Sequence, residues 1–525
     1  MRNLNILNFI KIKYKFITQN KYIFNTLFCA VISCVLLNHL FVNGSYIDQR
    51  TFWLDEATTF YVASRSLSGI LTFAVKLHSQ PPLYYFLAHY LIQFNDSVLF
   101  LRGASWFFIL LLLIFILLFL SELKFEARLL FDLLLIFNSF TNYLSQEFRP
   151  YALASLLLFI STTLFLRLIN NPQKRTLALM YALSTCLMMY TLTINLWVFI
   201  SHGIYLAIVF IVNFRKNGMG AVVKKYRNII VSIATISAIY LPYAISVITS
   251  GRIGNIKETS VSLSEILLNP QTYLLALKSF SNQSRLLLSF ISVSPKPFLF
   301  LLIFLAMISF ALYKSFKKSD SSVALWLIIL LGQIVFVYYI LHGRSFYAIR
   351  YLTPTFISFI FLIALGFNHL LKSSTFRFNS LLISAFLIIP LTFANYQKFY
   401  NYLKEPTLFD FWQNFHKELQ EINGKKLILF QPVYTSHMLE SITRDDPQII
   451  VIQMSDNVKE EMKKEIVDAQ CFIYIISRTD HRHKTYFPEM GKILDNNNLN
   501  NRSLKKMFFK GKHSYFQYEI NMFCK

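Results

Sequence analysis

The sequence predicts an α-helical polytopic membrane protein of about eleven transmembrane helices, closed by a small C-terminal α/β domain. Three observations predict it. The 525 residues are 55% hydrophobic and only 15% charged, with mean hydropathy +0.47, whereas soluble domains carry about 25% charged residues. Apolar runs near 20 residues long recur along the first three quarters of the chain, the length needed to cross a hydrocarbon core of ~30 Å. The basic residues behind the net charge of +24 are dealt into short loops between those runs. That distribution excludes a nucleic-acid-binding face and reads as topology signal.

Spans are read at 22–43, 98–120, 128–145, 151–168, 176–191, 196–213, 228–248, 297–316, 322–341, 351–371 and 379–396. The first follows a basic N-terminus, exceeds a signal-peptide core and has no small-residue cleavage site after it, so it reads as an uncleaved span. The apolar stretch 83–94 is not counted. Its twelve residues include His89 and Gln93, and that length suits an interfacial helix. Charge agrees with this threading. The loops on the N-terminal side hold 20 Lys or Arg in 65 positions, and those on the other side hold 11 in 121. The N-terminus is therefore expected in the cytoplasm. The loops 44–97, 145–150, 249–296 and 342–350, and the tail beyond, are expected outside.

Two domains follow, a transmembrane domain over 1–396, with a functional first outer loop at 44–97, and an extracytoplasmic α/β domain over 397–525. In the tail, 426-KLILFQ-431, 449-IIVIQ-453 and 471-CFIYIIS-477 read as strands, and 457–469 has helical periodicity with Asn457 as cap. This alternation predicts a parallel, Rossmann-like sheet. There is no G-x-G-x-x-G, so no dinucleotide site is expected. The polar run 495–503 reads as a loop and 513–523 as a last strand. Cys29, Cys34 and Cys186 lie in apolar runs and read as small hydrophobes. Cys471 and Cys524 lie in the tail, where an oxidising compartment would allow them to pair.

The chemistry-bearing residues gather in the outer loops. Asp55 can cap a short surface helix over 56–64 with Glu56 in its first turn. A carboxylate set among Phe52, Trp53, Leu54 and Phe60 also suits a general base at the membrane face. The two readings are compatible. Pro81-Pro82 stops any helix through that point and starts the next one, with Tyr84, Tyr85 and Tyr90 at headgroup depth. His78 and Gln80 precede the turn, and a single histidine there is more often a surface residue than a ligand. In 145-SQEFRPYAL-153, Glu147 and Arg149 are charges at the rim of a bundle, where ionisable groups are functional candidates. The planar fork of Arg149 suits phosphate oxygens. Arg102 and Arg350 have the same claim, and each is more often structural when taken singly. Asp55, Glu56 and Glu147 offer oxygen ligands for a divalent cation, although their spacing does not compel one and no cofactor is required. The run 480-DHRH-483 reads as a solvated loop. No nucleophile triad, Walker loop or zinc pattern is present.

Taken in order, 54-LDEATT-59, 80-QPPLYYFL-87, Arg102, 145-SQEFRPYAL-153 and 350-RYLTP-354 resemble the membrane glycosyltransferases of the GT-C fold that use polyprenyl-phosphate sugars. The resemblance covers roughly residues 20–400. It is nearest to the bacterial lipopolysaccharide-core group, and more distant to protein O-mannosyltransferases and the lipid A aminoarabinose transferase. It implies transfer of a sugar from a polyprenyl-phosphate donor to a cell-envelope glycan, lipid or protein, with inversion, at the outer face of a bacterial inner membrane. It implies Asp55 as the base with Glu56 as its neighbour, and Arg149, Arg102 and Arg350 as phosphate ligands. Glu147, His78, Gln80 and Tyr84 are expected to line the substrate site. Many relatives carry an acid or a histidine directly before the double proline, where this chain has Gln80 with His78 two residues earlier. The competing expectation is a transporter or flippase of a lipid-linked saccharide. Such a protein is expected to show inverted repeats and helices broken at the midplane, and neither is legible in the sequence.

Overall fold

The computed structural model describes residues 54–73, 80–136, 139–249, 309–310, 312–314, 322–341, 351, 353–371, 415, 417, 419–421 and five strands between 426 and 524. The spans expected at 22–43 and 379–396, most of 297–316, most of the 249–296 loop, the helix at 457–469, His78 and Arg350 lie outside the described residues.

The described helices are α1 (Leu54–Ala63), α2 (Leu67–Leu71), α3 (Leu83–Phe94), α4 (Val98–Phe119), α5 (Phe125–Ile136), α6 (Ser139–Ser145), α7 (Tyr151–Asn170), α8 (Arg175–Thr191), α9 (Leu196–Asn217), α10 (Met219–Thr249), α11 (Ser322–Leu341) and α12 (Thr353–Leu371). Five of them, α4, α7, α9, α10 and α12, are long and apolar enough to cross a membrane. They coincide with spans expected from sequence, while α8 and α11 match 176–191 and 322–341 in position. Over the expected span 128–145, α5 ends at Ile136 and α6 runs Ser139–Ser145, and positions 137 and 138 lie outside the described residues. Thr141, Asn142 and Ser145 of α6 are buried.

Local chemistry sets the helix starts. Pro82 precedes α3 and Pro150 precedes α7, positions where a missing N–H costs nothing. Ser97 caps α4 by accepting from the Phe100 N–H at 3.3 Å. Helix α1 begins one residue before its expected cap, so Asp55 and Glu56 both sit in its first turn, where the helix dipole favours an acid.

The bundle is organised around α12, which is buried along almost its whole length. Aromatic rings join four helices there. Trp326 of α11 stacks on Phe361 of α12 with centroids 4.5 Å apart. Phe159 of α7 meets Trp326 at 5.6 Å, and Phe131 of α5 meets Phe159 at 5.4 Å. Helix α9 closes on α11 at Gly332, where a Cβ would lie 1.9 Å from the Trp197 ring. On α10 the buried positions 222, 226, 229, 232, 236, 240 and 243 form one stripe, while Val231, Ile239, Leu241, Ile245 and Ile248 face outward. Outward apolar faces are the expected surface against lipid.

In the tail, β1 (Lys426–Gln431), β2 (Ile449–Gln453), β3 (Cys471–Ser477), β4 (Leu504–Lys510) and β5 (Gln517–Cys524) form one sheet in the order β2-β1-β3-β5-β4. The first three strands are parallel, as expected, but β5 runs antiparallel to both β3 and β4. The sheet is therefore mixed and not purely parallel. The six positions between β4 and β5 are too few for a crossover and impose a hairpin. Strand β4 escapes a sequence reading because 504-LKKMFFK-510 carries three lysines on an edge, and lysines are common on edge strands because they discourage further pairing.

Candidate active site

Helix α1 lies against α3, and the start of α4 and the short loop 146–150 before α7 meet them at one end of the bundle. Successive helical residues diverge by about 100°, so Asp55 and Glu56 face different surroundings. Glu56 is fully buried. It accepts from Arg102 Nε at 2.8 Å and Nη2 at 2.7 Å, and from the Phe148 N–H at 2.7 Å. This is the bidentate fork that arginine makes best, closed off by 4% exposure of Arg102.

Asp55 is half-buried, and its carboxylate acts electrostatically on Arg149. Arg149 Nη1 donates to the Asp55 carbonyl oxygen at 2.9 Å and to Thr59 Oγ1 at 2.7 Å. Thr59 in turn donates to the same carbonyl at 3.0 Å. The loop that carries Arg149 is held at each step. Ser105 of α4 donates to the Glu147 carbonyl at 2.6 Å, the Phe148 amide is held by Glu56, and the Arg149 N–H closes a tight turn onto Glu147 O at 2.7 Å. The Phe148 side chain is fully buried beside the Tyr84 ring, 6.0 Å away.

Burial alone would push the Arg149 guanidinium toward neutrality. The Asp55 carboxylate, then Tyr151, Tyr85 and Glu147, outweigh it and hold Arg149 well above its usual range. Arg149 is thus a permanent cation. Burial raises the hydroxyls of Tyr84 and Tyr85, against the hydrogen-bonding influence of Ser105 on Tyr84 and the charge of Arg149 on Tyr85. Both remain neutral near pH 7. The site therefore offers one half-buried carboxylate, one fixed cation and neutral O–H groups, a set suited to taking a proton from a hydroxyl beside a developing negative charge.

Of the residues singled out from sequence, Asp55, Glu56, Tyr84, Arg102, Glu147 and Arg149 come together here. Gln80 sits half-buried ahead of α3 and makes none of these hydrogen bonds. Asp55, Glu56 and Glu147 do not converge as a cation site, and no three His, Cys, Asp or Glu side chains do so among the described residues. Four participants were not singled out as site residues from sequence: Thr59, Tyr85, Ser105 and Phe148, although Thr59, Tyr85 and Phe148 lie within the motifs quoted above. Thr59 was within reach, one helical turn after Asp55. The others depend on which loop docks where. Asp132 was also missed. It is fully buried in α5, and neither of its carboxylate oxygens has a hydrogen-bond partner among the described residues. Its signal was an acid inside an apolar run.

No protein-family model matches the sequence, and no curated protein is significantly similar to it. Solved structures are similar in fold. ArnT from Cupriavidus metallidurans in the apo state superposes with a TM-score of 0.55 at 10% identity, covering 94% of this chain and 98% of that one. The same protein bound to undecaprenyl phosphate gives 0.55 at 11% identity, covering 94% and 97%. The chain has this GT-C fold and is a multi-pass membrane protein. The matched share runs past the 20–400 region that carries the sequence motifs and takes in most of the tail.

Proposed function

We propose that the chain is a membrane glycosyltransferase that takes a sugar from a polyprenyl-phosphate donor and passes it to a cell-envelope glycan, lipid or protein. The observation that carries this reading is the half-buried Asp55 beside the permanently charged Arg149, held by Thr59 and the 146–150 loop. The fold shared with ArnT, one of whose structures holds undecaprenyl phosphate, supports the choice of donor class.

In this reading Asp55 removes the proton of the acceptor hydroxyl. The oxygen attacks the anomeric carbon from the face opposite the lipid phosphate, which leaves with its electron pair, and the configuration inverts. A phosphate leaving group needs no proton donor, so one base and one cation suffice. Arg149 meets the charge that develops on the departing phosphate, and Arg350 is the second candidate for that role. Arg102 gives its fork to Glu56. We assign this pair to positioning the Arg149 loop, not to touching the donor. The distribution of basic loops supports an extracytoplasmic site, and the resemblance implies a bacterial inner membrane.

The test is sugar transfer by purified wild type and Asp55→Asn with extracted polyprenyl-phosphate sugars. Transfer is expected to fall by about 10²–10⁴-fold, the usual worth of a general base, with folding and donor binding retained. A variant as active as wild type would remove Asp55 from the mechanism.

A further inference from the structure

Two cysteines of the tail, 53 positions apart in sequence, are brought face to face by the sheet. In the antiparallel pairing of β3 with β5, Cys471 and Cys524 are direct register partners. Residues opposite each other in such a ladder have Cα atoms about 4.5 or 5.5 Å apart, according to which kind of pair they form. Both spacings fall inside the range of about 4.4–6.8 Å that a disulfide spans. Positions 471 and 473 share a face of β3, and Ile473 is fully buried, as is Ile428 opposite it on β1.

The sheet order gives this pair a task. Strand β5 is an interior strand, with β3 on one side and β4 on the other. Release of β5 would free β4 as well, because β4 pairs only with β5 among the described strands. A bond between the Cys471 and Cys524 register positions ties β5, and β4 with it, to a strand that is itself held by β1.

We propose that Cys471 and Cys524 form a cross-strand disulfide that locks β5 into the sheet. The two thiols give up two protons and two electrons. One thiolate attacks a disulfide-bearing oxidant, and the resulting mixed disulfide is displaced by the second thiolate, so the oxidant leaves as two thiols. The inference rests on the extracytoplasmic placement of the tail, since cytoplasmic thiols are kept reduced.

The experiment uses the full chain, alkylated in cells before lysis, then digested without reductant for peptide mass spectrometry. The expected result is a linked pair of peptides containing Cys471 and Cys524, two hydrogens lighter than their sum. The pair separates on reduction, and in Cys524→Ser it is absent and Cys471 becomes alkylatable. Hydrogen exchange before and after reduction is expected to rise in β4 and β5 and to stay level in β1 and β2. Recovery of both cysteines alkylated in wild type overturns the proposal. A reporter enzyme fused after Lys525 separates the causes. Free thiols on an external tail refute the pairing itself, whereas free thiols on a cytoplasmic tail refute the orientation as well.

Discussion

The bundle carries a glutamate–arginine pair near each end, and the two pairs differ in every property except chemistry. At the candidate site Arg102 grips Glu56 bidentately at 2.7 and 2.8 Å, with side-chain exposures of 5% and 1%. At the opposite end, where α4, α7 and α12 finish and α11 begins, Arg167 approaches Glu122 at 3.5 Å with exposures of 30% and 56%. The second pair lines a cavity of about 310 Å³ floored by Trp326 and Phe361. Helix α7 separates the ends by about 30 Å, from its 20 residues at 1.5 Å each. A buried pair is costly to make and worse to break, while an exposed pair is worth little. The first therefore fixes architecture, and the second leaves both partners able to turn elsewhere.

The largest expected effect comes from breaking the buried pair on one side. Glu56→Gln leaves the Arg102 charge stranded in a closed site and sets an amide N–H donor against its guanidinium. The expected loss is about 3–5 kcal/mol, read as a fall in thermal stability in detergent. Removing both charges with Glu56→Gln and Arg102→Met is expected to restore much of that loss, because the stranded charge is then gone. A single variant no less stable than wild type would dissolve the contrast between the ends. Weaker donor binding in Glu56→Gln, set beside retained binding in Asp55→Asn, would sharpen the division between a positioning acid and a base.

Between the ends, packing and not charge is expected to hold the helices. Gly332→Ala probes this. Its new methyl would meet the Trp197 ring at 1.9 Å, so the ring must leave α11 or the helices must part. Overpacking of this kind costs about 1–3 kcal/mol, intermediate between the two pairs. An unchanged melting temperature would mean that α9 and α11 are looser than their contact implies.

The same contrast explains what could be read from the sequence. Spans such as 151–168 and 351–371 were legible because hydropathy depends only on local composition. The start of α3 was legible because proline acts on its own neighbours. Which of Asp55 and Glu56 pairs with Arg102 was not, because that partner lies 46 positions away. Strand β4 was hidden by its lysines. Local rules gave the elements, and docking of distant segments gave the site.

The smallest effect belongs to the outer rim of the cavity. Two unit charges 4 Å apart are worth about 1 kcal/mol in water, and screening and side-chain entropy reduce that further. Glu122→Gln is therefore expected to cost less than about 1 kcal/mol. The two partners are not equivalent, however. Arg167 lies in the last turn of α7 and also donates to the Phe119 carbonyl, so it keeps favourable interactions with a helix C-terminus when Glu122 is gone. Arg167→Gln should accordingly cost more than Glu122→Gln, and the coupling between them in a double-mutant cycle should be close to zero in high salt. At the other end the coupling should persist, because solvent ions do not reach Glu56. If Glu122→Gln instead cost as much as Glu56→Gln, the cavity would have to be closed around the pair in the membrane, and the two ends would be alike after all.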